Sequence, residues 1–346
     1  MKFVHNLLFA IITNMNLFKV LFALLLSLVI INIFVCFYDR YPGWIDRSNS
    51  STDAIWYPNS IVIHGTEGYG IHHVDQNGYL NEGKLIQSGY TLVVGASHTQ
   101  GKEIPNSMRY SDILNTILCK KLGYPSNKLC VYNVSQDGYY YPQIVKNFKS
   151  IITEFPNSNN LVIEIGSTNF TADELKNSFN QAEYKDENRG SNIIQRLSFV
   201  QSLRAKIKEY FPIFRLIKLN VEIFTKKHLK NIDIKGVETS FYSSLLDKSM
   251  KIMKSEYHGN LIIVYHPPVY ITKNGMIISK SSSDEIFEKI AKNNNILFLN
   301  MSSLFIEHYN SNYSVPYGFF NTSMGKGHLN SKGHEIIAKA LSLYVK

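Results

Sequence analysis

The chain has little cysteine and no two cysteines in C-x-x-C spacing, which excludes the usual cysteine-held zinc module. It also lacks any long block of consecutive Lys and Arg. The 36 basic against 27 acidic side chains, formally +9, are scattered through an Asn- and Ile-rich background. That pattern excludes a nucleic-acid-binding arm and reads as a generally basic surface. No A-x-A-like cleavage site follows the longest apolar run, which argues against a secretory signal that is removed. What is present is 346 residues, 45% of them hydrophobic, enough for one large core or two modest ones.

The apolar run is Val20–Phe37, 18 residues broken only by Ser27 and Asn32. That is about the minimum that crosses a hydrocarbon core as a helix, and Leu17 and Phe18 extend it if Lys19 snorkels. Lys2 and Lys19 precede it, so the positive-inside tendency places the N-terminus in the cytoplasm. Cys36 is a poor lipoprotein cysteine because bulky Val35 precedes it. The expectation is a single-pass anchor over residues 1–38, with everything after about Tyr38 outside the cytoplasm. Cys119 and Cys130 flank a predicted helix end and strand start, and in an oxidising compartment they are expected to bridge.

Residues 39–89 read as a linker and an edge hairpin, with Asp75-Gln76-Asn77-Gly78 as the turn signal and no chemistry assigned. From residue 90 the pattern alternates. Strands are predicted at Thr91–Val94, Leu129–Val134, Leu161–Ile165, Leu261–Tyr265 and Ile296–Asn300. Helices are predicted at Tyr110–Leu122, Pro142–Phe155, Tyr242–Tyr257, Asp284–Lys292 and Ser331–Val345. Apolar strands alternating with helices imply an α/β fold, a three-layer α/β/α sandwich over a mostly parallel sheet. The domain would span residues 90–346 with an insert at about 170–239. Within the insert, Ile193–Leu219 is apolar and aromatic, and its basic residues face one acid, Glu209. It reads as a solvated helical cap over the site, the alternative being a segment lying on an anionic membrane surface.

Three loops at carboxyl ends of strands carry Ser97, Gly138 and Asn169, and one rim of an open sheet gathers such loops. His328 comes from far downstream, just before the last helix. Acyl transfer needs a nucleophile, a base within hydrogen-bond reach and donors aimed at the developing oxyanion, and these four residues supply the list. Their order and spacing resemble the SGNH (GDSL-like) hydrolase superfamily. Its first block, Gly-Asp-Ser-x-Thr-x-Gly, is similar to Gly95-Ala96-Ser97-His98-Thr99-Gln100-Gly101, with Ala96 in place of Asp. The second-block glycine matches Gly138. The third block, Gly-x-Asn-Asp, is matched loosely by Gly166-Ser167-Thr168-Asn169-Phe170, with one extra residue and no final Asp. The last block, Asp-x-x-His, matches His328, but Gly325 stands where the family has its triad Asp.

The imidazole of His328 then needs another orienting group: a backbone carbonyl, or an acid such as Glu164 or Asp137. Failing both, the chain is a degenerate binder. His98 reads as pocket wall pointing away from Ser97, His334 as a packing or surface residue, and His266 as a structural turn near the cleft. The resemblance implies a SGNH/flavodoxin-like fold and a membrane-anchored serine esterase or O-acyltransferase acting outside the cytoplasm. It further implies an acyl-enzyme on Ser97, His328 as base, and an oxyanion hole from Ser97, Gly138 and Asn169. Its substrate class is acetyl esters of cell-surface polysaccharide, with the membrane as partner through the N-terminal helix. No metal, cofactor or nucleic acid is expected. The alternative is a glycan-binding or envelope-assembly module.

Overall fold

The computed structural model describes residues 2–46, 54–182, 199–218 and 239–345. The parts of the insert at 183–198 and 219–238, including Arg196 and Leu219, lie outside the described residues. Helix α1 (Lys2–Tyr38) is longer than the apolar run that announced it, because Leu, Phe and Ile continue helical on its N-terminal side. It is the one helix among the described residues long and apolar enough to cross a membrane, over Leu17–Tyr38. From Leu17 to Phe34 only Asn32 is buried.

The chain passes from α1 into a packed N-terminal segment. Strands β1 (Trp44–Asp46) and β2 (Ala54–Trp56) pair antiparallel, and the Trp44 and Trp56 rings stack at 3.6 Å. Strands β3 (Ile61–His64) and β4 (Gly70–His73) form a hairpin of their own. Tyr41, Trp56, Val62, Val74 and Leu80 make a small second core beneath them. The hairpin does not join the central sheet, and its apex is Gly65–Tyr69. The Asp75–Gly78 turn does form, with the Gly78 N–H donating to the Asp75 carbonyl at 3.2 Å, but it lies beyond the hairpin.

The central sheet is parallel throughout and ordered β13-β10-β9-β6-β8. Its members are β6 (Tyr90–Val94), β8 (Val131–Asn133), β9 (Ser158–Ile165), β10 (Asn260–Tyr265) and β13 (Leu297–Asn300). The first two strands are buried along their whole length, as expected of a sheet covered on both faces. The predicted strand at Leu129–Val134 is broken in two. Lys128–Leu129, β7, pairs instead with β5 (Lys84–Leu85). At the break Cys130 is bonded to Cys119, and the Asn115 side chain takes the Cys130 N–H at 2.7 Å.

Helix α3 (Tyr110–Leu122) packs with α10 (Ser331–Leu341) on one face. On the other lie α4 (Tyr141–Glu154), α5 (Ala172–Ala182), α7 (Thr239–Glu256) and α8 (Ser282–Asn293). Helix α4 shows why: Ile144, Val145, Phe148 and Ile151 are buried at helical spacing, and Pro142 sits in its first turn. A capping box of Ser281 and Asp284 opens α8. Helix α6 (Phe199–Tyr210) lies in the insert. Helix α9 (Ser302–Asn312) and the hairpin of β11 (Val269–Thr272) with β12 (Gly275–Ile278) were not anticipated. The chain steps from β6 outward to β8, then back across β6 to β9. That reversal opens a crevice at the carboxyl ends of β6 and β9, where open α/β sheets bind ligands.

Candidate active site

Strand β6 ends in Gly95-Ala96, and Ser97 begins α2 (Ser97–Gln100), a single turn closed by Gly101 at φ +62°. A side chain at Gly95 would run into the carboxylate of Glu164 and the hydroxyl of Thr99, so glycine is required there. Glu164, buried at the end of β9, holds the turn from beneath. Its Oε2 accepts the Ala96 N–H at 2.9 Å and the Thr99 hydroxyl at 2.8 Å. The Ser97 N–H lies in the first turn of α2, where no intrahelical acceptor exists.

His328 reaches the same place from the loop before α10. The Ser97 hydroxyl donates to its Nε2 at 2.9 Å. Its Nδ1–H donates to Glu67 Oε2 at 2.7 Å, and its backbone N–H donates to Glu67 Oε1 at 2.8 Å. One carboxylate thus fixes both the ring and the backbone of the histidine. Glu67 stands at the apex of the β3–β4 hairpin, in the segment to which the sequence reading assigned no chemistry. Asn321 ties that apex to the histidine loop, accepting the Gly68 N–H at 2.9 Å and donating to the Gly65 and Gly68 carbonyls at 3.0 Å. Gly327 leaves room for the contact, since a Cβ there would collide with Glu67 Oε1.

Gly325 explains why no acid sits three residues before His328. Its φ of +82° is left-handed, and a Cβ would come within 2.9 Å of Ile271. Neither acid suggested as a substitute reaches the ring: Asp137 pairs with Lys102, and Glu164 with His266. A second carboxylate does stand nearby. Glu103 Oε1, buried and without a hydrogen-bond partner, lies 3.6 Å from His328 Nδ1. Burial alone would lower the His328 pKa, but the Glu67 hydrogen bond and the Glu103 and Glu67 charges raise it above its ordinary value. Burial pushes Glu67 up, and its two bonds to His328 outweigh that and hold it below the usual carboxylate value. Burial raises Glu103 above its ordinary value.

Glu164 and His266 form a second pair directly below, at 2.5 Å and almost wholly buried. Against its burial, the His266 charge and hydrogen bond bring Glu164 down to about 2. His266 Nδ1 bonds the Tyr317 hydroxyl at 2.8 Å, so it does more than shape a turn. His98 lies between the two pairs, its ring 4.7 Å from His266 and 5.0 Å from His328, and its Nδ1 accepts the Leu329 N–H at 3.1 Å. Burial drives its pKa well down, so it is a neutral wall. His334 is buried against Tyr110 and accepts that residue's N–H at 3.1 Å, a packing role.

Gly138 turns the loop after β8 at φ +72° and is exposed. Asn169 is exposed after β9, but its amide oxygen is engaged elsewhere. It accepts the Ser281 hydroxyl at 3.0 Å and the Ser283 hydroxyl at 2.7 Å at the start of α8. A cleft of about 260 Å³ runs alongside, lined by His98, Gly166, His266, Tyr270, Tyr317 and Gly325 among others. No group of three or more metal-ligating side chains occurs among the described residues. A hydroxyl bonded to an imidazole that is itself bonded to a carboxylate can deliver a nucleophile and return a proton.

No family model matches the chain, and no curated protein matches it. Similar architectures occur among solved structures. The acetyl xylan esterase AlAXEase is 11% identical, with a TM-score of 0.41 over 74% of this chain and 100% of that one. A catalytic mutant of Axe2, an acetylxylan esterase from Geobacillus stearothermophilus, is 13% identical, with a TM-score of 0.40 over 75% of this chain and 97% of that one. A member of the lipolytic G-D-S-L family from Veillonella parvula is 12% identical, with a TM-score of 0.37 over 75% and 100%.

Proposed function

We propose that the chain is a membrane-anchored serine esterase or O-acyltransferase of the SGNH hydrolase superfamily, with Ser97 as nucleophile, His328 as base and Glu67 as orienting acid. The observation that carries the reading is the unbroken chain from Glu67 Oε2 through His328 to Ser97 Oγ, at 2.7 and 2.9 Å. Ser97 Oγ attacks the ester carbonyl as His328 Nε2 takes its proton. The Ser97 and Gly138 N–H groups face the developing oxyanion, joined by the Asn169 amide if it leaves Ser281 and Ser283. The C–O bond of the ester then breaks, His328 gives the proton to the departing alkoxide, and the acyl group stays on Ser97. Water or a sugar hydroxyl, deprotonated by His328, resolves that intermediate. Hydrolysis and transfer differ only in this last acceptor.

The substrate class in this reading is an acetyl ester of a cell-surface polysaccharide. Tyr140 beyond Gly138 and Tyr270 at the cleft present exposed rings on which a sugar can lie. The anchor is a retained one in this reading, with the domain outside the cytoplasm. Helix α1 enters the domain with no linker: Arg40 exchanges backbone hydrogen bonds with Ile63, and Tyr69 Oη donates to the Phe37 carbonyl at 2.9 Å. The Cys119–Cys130 bond supports an oxidising compartment. The anchor then ends at residue 38, and the 39–89 segment serves the domain from residue 90 by contributing Glu67. The rival reading, a degenerate glycan-binding module, drew on the missing acid at Gly325, a ground that Glu67 weakens.

Mass spectrometry after incubation with a fluorophosphonate or an activated acetyl ester tests the proposal. The expected result is a covalent adduct on Ser97, absent in Ser97→Ala and reduced in His328→Ala. Folded protein that never labels, with glycan binding unchanged in both variants, overturns it in favour of the binding module.

A further inference from the structure

Helix α6 and the helical turn at 213–218 that follows it present two unlike faces. The inward edge is settled on the domain: Ala205 packs on Gly43, and Glu209 pairs with Arg40 at 2.6 Å and accepts the Ile61 N–H at 3.3 Å. The outward face carries Leu203, Ile207 and Tyr210, spaced four and three apart, each about half exposed. Phe211, Phe214 and Ile217 continue it past Pro212, with Phe214 66% exposed. Exposed Arg204 and Lys206 flank the stripe on either side. A water-facing cap would fill its outward face with charge, whereas here apolar and aromatic side chains hold that face, the exposed Arg204, Lys206 and Lys208 lie to its sides, and the one acid faces in.

The position of this face relative to α1 says what covers it. Asn32, inside the apolar run, donates to the Tyr210 carbonyl at 2.7 Å and accepts the Ile213 N–H at 3.4 Å. Asn32 is six residues before Tyr38, so at a rise of about 1.5 Å per residue the Tyr210–Ile213 corner lies roughly 9 Å below the end of the helix. Interfacial helices sit with their apolar face about 5–10 Å into the headgroup and acyl boundary. The polar groups of Asn32 are thus satisfied by the insert at the depth where lipid would leave them unpaired. Arg215 pairs with buried Asp39 and lies 3.7 Å over the Tyr41 ring, which locks the corner to the base of the anchor.

We propose that α6 and residues 213–218 form an interfacial element that lies in the outer boundary of the bilayer beside α1, with Arg204 and Lys206 at the level of the lipid phosphates. The inference rests on reading α1 as a membrane span. It replaces the cap expected from the sequence. Its consequence is a fixed pose. Arg40 and Ile61, which hold α6, lead into the β3–β4 hairpin that carries Glu67, so the Ser97 rim keeps one height and tilt above the membrane.

The test uses the full chain in nanodiscs of phosphatidylcholine and phosphatidylglycerol, with Phe214→Trp as probe and lipids brominated near the headgroup end of the acyl chain as quencher. The expected result is at least a twofold loss of the added fluorescence. Tyr124→Trp, past α3 at the amino end of the parallel strands, should lose none. Alkaline carbonate extraction of the same membranes reports on α1 separately. Chain retained in the membrane with no quenching at position 214 overturns the interfacial element and leaves the anchor standing. Chain released by carbonate overturns both. An unquenched probe in particles holding two copies assigns the face to a second copy, and that too overturns the proposal.

Discussion

Two carboxylate–imidazole pairs stand one above the other at the carboxyl end of the sheet, and they differ in almost everything but geometry. Glu67–His328 is 2.7 Å long and partly open to solvent; Glu164–His266 is 2.5 Å long and sealed. The upper pair touches Ser97. The lower one touches the N–H of Ala96 and the hydroxyl of Thr99, which build the turn that presents Ser97. The difference teaches that pairing a histidine with an acid does not by itself make a base. The ring nitrogen must face a hydroxyl that substrate can reach, and the pair must be open enough to pass a proton; the Tyr317 hydroxyl that meets His266 is buried. In the lower pair both His266 ring nitrogens are already taken, by Glu164 and Tyr317.

The comparison can be broken most sharply at Glu67. Glu67→Gln is expected to lower kcat on an activated acetyl ester by about 10³–10⁴, as loss of an orienting acid does elsewhere, with the melting temperature unchanged. Glu164→Gln should do the reverse. It leaves His266 without its buried partner and costs about 3–5 kcal/mol of stability, read as a fall in melting temperature in detergent. Activity per folded molecule should drop far less than in Glu67→Gln. In the wild type, Glu164 falls from 4.5 when unfolded to about 2 when folded, so its stabilisation is complete above pH 4.5 and is lost as pH falls toward 2.

A smaller effect is expected at Asn321, which touches neither pair but clamps the hairpin apex that holds Glu67. Asn321→Ala should slow turnover by about 10- to 100-fold through misplacement of the carboxylate. A variant with wild-type kcat would show that the apex needs no clamp. The smallest effect is in the pH profile. His328 must be neutral to take the Ser97 proton, and its pKa is raised, so kcat/KM should fall on the acid side at a pH above 6.5. Glu67→Gln should move that limb to lower pH; a limb that stays in place would sever Glu67 from the titration.

The sheet was legible because its strands are apolar runs closed by turns such as Gly-Ala-Ser, Ser-Gln-Asp-Gly and Gly-Ser-Thr-Asn, and because the helices between them keep helical spacing. Tyr110–Leu122 forms as the helix the sequence predicts. Strand Leu129–Val134 misread because the Cys130 bond to Cys119 interrupts a run that is uniformly β-forming. Ser97 and His328 could be picked out because each sits in a block with neighbours of fixed type. Glu67 could not, since a partner for the imidazole need only arrive in space and this one arrives on a separate hairpin, 261 residues from the histidine it bonds. Its one local signal was Gly65-Thr66-Glu67-Gly68, an acid set between glycines at a turn. Asn169 was chosen by sequence order, and only the structure reveals the two serines that hold its oxygen.

The central claim is that Glu67 orients His328 toward Ser97, and ¹⁵N-histidine NMR of the full chain in detergent tests it most directly. The His328 signals can be assigned by their loss in His328→Gln. The account predicts a neutral ring protonated at Nδ1, with a pKa above the ordinary 6.5 that falls in Glu67→Gln along with the tautomer preference. A His328 ring with the same pKa and the same tautomer in wild type and Glu67→Gln would contradict it.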